Sequence, residues 1–175
     1  MYAVGDCIVY GNSGVCEVTD ITKRENPLDG SICDYYVLTP LSRRGFSTGT
    51  IYTPAVNPKV FMRPVISADE ANAIIDRIPS MSAEVYHNVS TQQLVDHYQQ
   101  IMHTHDCGNL IQLVMSIHAK REYATAHKRT FGRIDSEFMS QAEELINTEF
   151  SIALNIPKEQ VGDYIEERVG TRISG

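Results

Sequence analysis

Val60-Phe61-Met62-Arg63-Pro64-Val65-Ile66-Ser67-Ala68-Asp69-Glu70 is the stretch over which the chain changes period. Its first three residues form a short β-branched and aromatic run with the character of a strand. Its last four are a capping box: the Ser67 hydroxyl can accept from the backbone three residues on, while the Glu70 carboxylate reaches back. Upstream, apolar residues fall in short runs cut by turns. Downstream they recur at helical spacing. The boundary between the two patterns lies near residues 62 to 66.

Working towards the N-terminus, turn chemistry recurs at Gly11-Asn12-Ser13-Gly14, Pro27-Leu28-Asp29-Gly30, Arg43-Arg44-Gly45 and from Pro54 to Pro58. Between these turns lie Cys7-Ile8-Val9-Tyr10, Val15 to Ile21, Asp34 to Thr39 and Thr48-Gly49-Thr50-Ile51-Tyr52-Thr53, all read as strands, with Val60 to Met62 as a fifth. Short strands at this spacing predict a small, strongly bent antiparallel sheet or barrel.

Towards the C-terminus the first helix runs through Ile74, Ile75 and Ile78 and stops before Pro79. Ser90-Thr91-Gln92-Gln93 reads as a second capping box, opening a helix with Leu94, Tyr98, Ile101 and Met102 on one face. Leu110, Ile111, Leu113, Val114 and Ile117 make a third stripe, and Phe138, Ala142, Leu145, Ile146, Phe150 and Ala153 a fourth. A last helix is expected to begin at Pro157 and to carry Val161, Tyr164, Ile165 and Val169. The predicted class is α+β by segregation, with five strands at residues 1–64 and about five helices at 65–175.

The 175 residues are 42% hydrophobic and 21% charged, as in an ordinary globular chain, and the net charge is −7. An acidic balance argues against a nucleic-acid coat but leaves room for a local basic patch. One is present. Residues 1–66 are neutral, 67–117 and 136–175 each carry −5, and 118–135 carry +3 from Lys120, Arg121, Lys128, Arg129 and Arg133 against Glu122 and Asp135. That basic joint lies between the third and fourth helices, where a tether to DNA would let a few phosphate contacts count. The alternative reading is a solvated helix connection.

No leader-like segment opens the chain and no apolar run is long enough to span a bilayer, so a cytoplasmic location is expected. Cys7, Cys16, Cys33 and Cys107 contain no C-x-x-C pair and read as reduced thiols. His97, His103, His105, Asp106 and Cys107 are the most ligand-like constellation, but alternating residues at a helix end diverge. No nucleophile, phosphate-loop or zinc-protease signature occurs, so neither catalysis nor a cofactor or metal is expected.

Val4-Gly5-Asp6-Cys7-Ile8-Val9-Tyr10 with Ser13-Gly14-Val15, then Tyr35-Tyr36-Val37-Leu38, Ile51-Tyr52-Thr53-Pro54 and Arg63-Pro64-Val65, resemble the CarD and CdnL bacterial transcription regulators. The same N-terminal module occurs in transcription-repair coupling factors. Ala142-Glu143-Glu144-Leu145 and Ile152 to Glu159 look like the closing helices of that family. The resemblance implies a Tudor-like five-stranded barrel that docks on the β subunit of RNA polymerase, followed by a helical domain directed at promoter DNA. By similarity the docking edge is Thr50-Ile51-Tyr52-Thr53, with Arg24 reaching an acidic partner surface. Arg24 matches an Arg of the family at this contact, and Tyr52 stands where other members often place Arg.

In the family a Trp near the start of the second capping-box helix wedges into the minor groove at the edge of the melting bubble. This chain has no Trp, and in the matching stretch from Ser90 to Val95 the sizeable apolar candidate is Leu94. Lys120 and Arg121 match basic positions of the pattern, and Arg133 lies close to another. Asp106 and Cys107 sit at the helix–helix turn of the family, which makes them capping residues. The resemblance therefore implies a regulator that binds polymerase and modulates the open promoter complex. Leu94, Lys120 and Arg121 are the expected DNA contacts at family positions, the charge pattern adds Lys128, Arg129 and Arg133, and a monomer is expected. Two alternatives are a polymerase-bound adaptor without DNA contact, and a module with an unrelated protein partner.

Overall fold

The computed structural model describes residues 1–42, 49–87 and 90–173. Two compact units result, Met1–Val65 and Ile66–Gly175.

In the first unit, β1 (Cys7–Tyr10), β2 (Val15–Glu25), β3 (Ile32–Pro40), β4 (Ile51–Pro54) and β5 (Met62–Pro64) form one antiparallel sheet in the order β4-β3-β2-β1-β5. β4 and β5 end that order, so among the described residues the sheet is not closed into a barrel by strand pairing. Side-chain alternation sends Ile8, Cys16, Val18, Tyr36 and Leu38 to a small core, each at most 1% exposed. The Tyr36 hydroxyl also accepts the backbone N–H of Tyr2 at 2.9 Å, which ties the N-terminal segment to this core.

Four strands depart from their expected bounds, β2 running on to Glu25 and β3 widening to Ile32–Pro40. The expected turn Arg43-Arg44-Gly45 and the start of the fourth strand at Thr48 lie outside the described residues, and β4 begins at Ile51. β5 is displaced towards Arg63 and Pro64 because Ile8 pairs with Pro64 and Tyr10 with Met62, leaving Phe61 before the strand. A proline is tolerated there because β5 is an edge. Between β1 and β2, Gly11 opens a 3₁₀ turn over Gly11–Ser13 with φ +43°, and a Cβ at that position would stand 2.7 Å from Val60 Cγ1.

β2 and β3 form the longest pairing, and its register shifts between Val18 and Asp20. Val18 faces Leu38 before the shift, and Asp20 faces Val37 after it, so Thr19 is an extra residue, a bulge. Parity is reversed from there on. Even-numbered residues of β2 point to the core before Thr19 and to the opposite face beyond it.

The second unit holds α1 (Ala68–Arg77), α2 (Thr91–Met102), α3 (Cys107–Ala126), α4 (Arg133–Leu154) and α5 (Val161–Val169). 3₁₀ turns over Ile78–Ser80 and Lys158–Gln160 follow α1 and precede α5, so Pro157 leads into α5 through that turn rather than opening it. Both bonds of the Ser67–Glu70 capping box form, and at the start of α2 the Ser90 Oγ accepts the N–H of Gln93. α4 ends where Asn155 takes the left-handed conformation at φ +52° and the Ile156 N–H returns to the Ser151 carbonyl.

The expected stripes converge on one core. Ile75, Ile111, Val114, Ile117, Ala142, Ile146, Phe150, Val161 and Ile165 are essentially inaccessible. α1 and α5 are joined further by Tyr164 Oη donating to Asn72 Oδ1 at 2.7 Å and by the two-bond Arg168–Asp76 pair. Among the described residues no helix is long and apolar enough to cross a membrane.

Candidate functional site

Two surfaces hold the residues singled out from the sequence, one on each unit. On the sheet, Val37 pairs with Tyr52 on one side and with Asp20 on the other, so these three share the face turned away from the core. The bulge at Thr19 places Thr22 and Arg24 on that face too. Arg24 Cζ lies 3.5 Å from the centroid of the Tyr52 ring, and Tyr52 remains 44% exposed. The ring stabilises the guanidinium through its quadrupole and orients its donor fork.

β4 pairs only with β3, so its other side is an open edge among the described residues. Its side chains divide by parity. Ile51 packs against the small core and Thr53 is buried, so both offer a partner main chain only, whereas Tyr52 offers its ring. Thr50 is exposed and precedes the strand rather than belonging to it.

On the helical unit the basic joint is less free than its charge count. Lys120 Nζ donates to Asp135 Oδ1 at 2.8 Å, and the Tyr98 hydroxyl donates to the same oxygen at 2.6 Å. Asp135 is 3% exposed, and burial together with this carboxylate raises the Tyr98 phenol above its ordinary range. Lys120 is thus committed to neutralising a buried acid. Arg121 Nη2 lies 3.3 Å from His118 Nδ1, and Arg133 donates to Glu137 at 2.6 Å in an exposed pair. Lys128 and Arg129 are exposed, and among the described residues neither side chain has a carboxylate partner. Leu94 is 6% exposed and belongs to the helical core, so it is unavailable as an apolar wedge.

The histidine constellation is dispersed. The His97 ring stacks on Tyr86 at 3.8 Å and 9°, beside a cavity of about 420 Å³ lined by Tyr98, Ile101, Gln112 and Leu113. Asp106 Oδ1 caps α3 by accepting the Asn109 N–H, and Cys107 Sγ donates to the buried Glu149 at 3.0 Å. Among the described residues no three His, Cys, Asp or Glu side chains are grouped to hold a metal. All four cysteines are free, and burial pushes the Cys16 thiol up to about 12.

Residues 2–66 match the family model described as the CarD-like/TRCF RID domain. The N-terminal unit is a CarD-like module. No curated protein matches the chain. The CarD-like module is an RNA polymerase-interacting domain, and its matched residues coincide with the sheet unit, including β4 and Arg24. The family is one of protein-interaction domains. Of the expected docking residues, the module brings Arg24 and Tyr52 into direct contact, although they lie far apart in sequence. Sequence reasoning misses the acceptors Asp135 and Glu149, which are charged residues on largely apolar helical faces. That mismatch of pattern is the available signal.

Proposed function

We propose that the protein is a transcription regulator that binds the β subunit of RNA polymerase through its CarD-like module and modulates the stability of the open promoter complex through its helical unit. The observation carrying this reading is the module match over a sheet whose open edge strand, β4, lies beside the stacked Arg24–Tyr52 pair. An open edge can extend a partner sheet through main-chain hydrogen bonds, and an oriented guanidinium then selects a carboxylate surface. Once tethered, the helical unit alters initiation only by binding one promoter state better than another.

Full-length protein should retain the polymerase β lobe in a pull-down and lose it with Arg24→Glu. Retention indifferent to that charge reversal overturns the docking reading. A second reading, an adaptor without DNA contact, is favoured by the inward Leu94 and by the commitment of Lys120 to Asp135. Promoter opening measured with Lys128, Arg129 and Arg133 changed together to Glu separates the two. Opening that depends on these charges supports DNA contact, and opening indifferent to them at low salt supports the adaptor.

A further inference from the structure

The C-terminal end of α3 combines three features. Tyr123 is 49% exposed, and among the described residues it is the one large hydrophobic side chain of the helical unit that is more than a third exposed. His127 stacks on it with ring centroids 4.0 Å apart and an interplanar angle of 27°. The imidazole is fixed in turn, because His127 Nδ1 donates to the Tyr123 carbonyl at 2.8 Å. The ring pair is therefore built before any ligand arrives, with one face of Tyr123 covered and much of the residue accessible.

The chain then folds back over the end of the helix. Lys128 takes φ +52°, its N–H bonds the Thr125 carbonyl, and the Arg129 N–H bonds the Ala124 carbonyl at 2.7 Å. These bonds bring two cations without carboxylate partners to the end of the helix that bears the stacked rings. Cations at a helix C-terminus also complement its dipole, which accounts for the charges. It does not account for an exposed aromatic pair beside them.

We propose that this surface binds single-stranded nucleic acid, one base stacking on Tyr123 and the flanking phosphates meeting Lys128 and Arg129. A duplex is a poorer fit. Its bases already stack on one another, whereas an unpaired base offers a free π-face to an aromatic platform beside cations. Arg133, exposed and among the described residues held by its surface pair with Glu137 alone, is available to a further phosphate. The proposal rests on the reading of the helical unit as the part that acts on promoter DNA, and it names the unpaired strand as the ligand.

The test is fluorescence anisotropy of the full chain at low salt with a labelled short oligothymidylate, alone and annealed to its complement. The single strand should bind more tightly than the duplex. Tyr123→Ala should weaken strand binding about tenfold, a loss within the range measured for base–aromatic stacking, and Tyr123→Phe should restore it. Lys128→Ser with Arg129→Ser should weaken binding and flatten its dependence on log salt by about 1.4, as expected for two phosphate contacts on a single strand. Equal or tighter binding of the duplex, indifference to Tyr123→Ala, or no strand binding at all overturns the proposal. Polymerase is absent from this assay. Failure here with Arg24-dependent polymerase capture intact removes the strand site alone, while strand binding without polymerase capture removes the docking reading instead.

Discussion

The guanidinium of Arg24 lies over the ring of Tyr52, with Cζ 3.5 Å from the ring centroid. The two side chains come from β2 and β4, which do not pair, and meet across β3. Tyr52 thus holds the Arg24 guanidinium over its ring from the end strand of the sheet.

A double-mutant cycle of Arg24→Met and Tyr52→Leu, measured by urea denaturation of the full chain, should give a favourable coupling of about 0.5–1 kcal/mol. In the polymerase pull-down Tyr52→Leu should weaken capture less than Arg24→Glu, because it releases the cation without removing it. Zero coupling with equal losses of capture would show that the ring contacts the partner on its own account.

Asp135 accepts from Tyr98 and Lys120 inside the helical unit. Asp135→Ala leaves a buried hydroxyl and a partly buried ammonium without this acceptor, and a loss of about 2–3 kcal/mol in urea denaturation is expected. Tyr98→Phe should cost about 1 kcal/mol, since Lys120 still neutralises the carboxylate. If Asp135→Ala costs no more than Tyr98→Phe, Lys120 is held by something other than this acid.

Burial against Tyr86 lowers the His97 pKa from its ordinary 6.5. The folded state therefore prefers the neutral ring, and its contribution is fully present above that value. As pH falls through about 6.5 the unfolded chain takes up the proton first, so stability declines towards the lower folded pKa. The urea midpoint should drop between about pH 7.5 and pH 5.5, and His97→Phe, which keeps an aromatic ring on Tyr86, should make that drop smaller. An unchanged pH dependence in the variant would assign the decline to other groups.

Gly11 combines a positive φ with the close approach of Val60. Gly11→Ala should destabilise the sheet unit by about 1–2 kcal/mol from the left-handed conformation, with a further loss from the contact at Val60. Adding Val60→Ala removes the methyl at 2.7 Å. Recovery of part of the loss in the double variant separates the clash from the backbone strain, whereas no recovery assigns the whole loss to φ.

Local rules make most of the architecture legible along the chain. Ser67 and Glu70 mark the start of the helical unit because a capping box needs only residues within one turn. Alternation and turns mark the strands, and apolar stripes mark the helices that converge on Ile111, Ile146 and Phe150. The ends of elements are less legible. Pairing with β1 decides where β5 begins, and pairing with β3 lengthens β2 to Glu25.

The sequence by itself determined the change of period near residue 66, the two classes of secondary structure and the position of the basic joint between α3 and α4. Only the tertiary structure decided which of its charges are free. Lys120 is neutralised by an acid fifteen positions away, Leu94 is turned into the core, and a bulge at Thr19 carries Arg24 to the face of Tyr52. A one-residue bulge leaves no periodic trace that its neighbours do not blur, yet it reverses every later side chain on the strand. Ion pairing and burial likewise depend on elements meeting across the core, so charge counted along the chain overstates what a partner can reach.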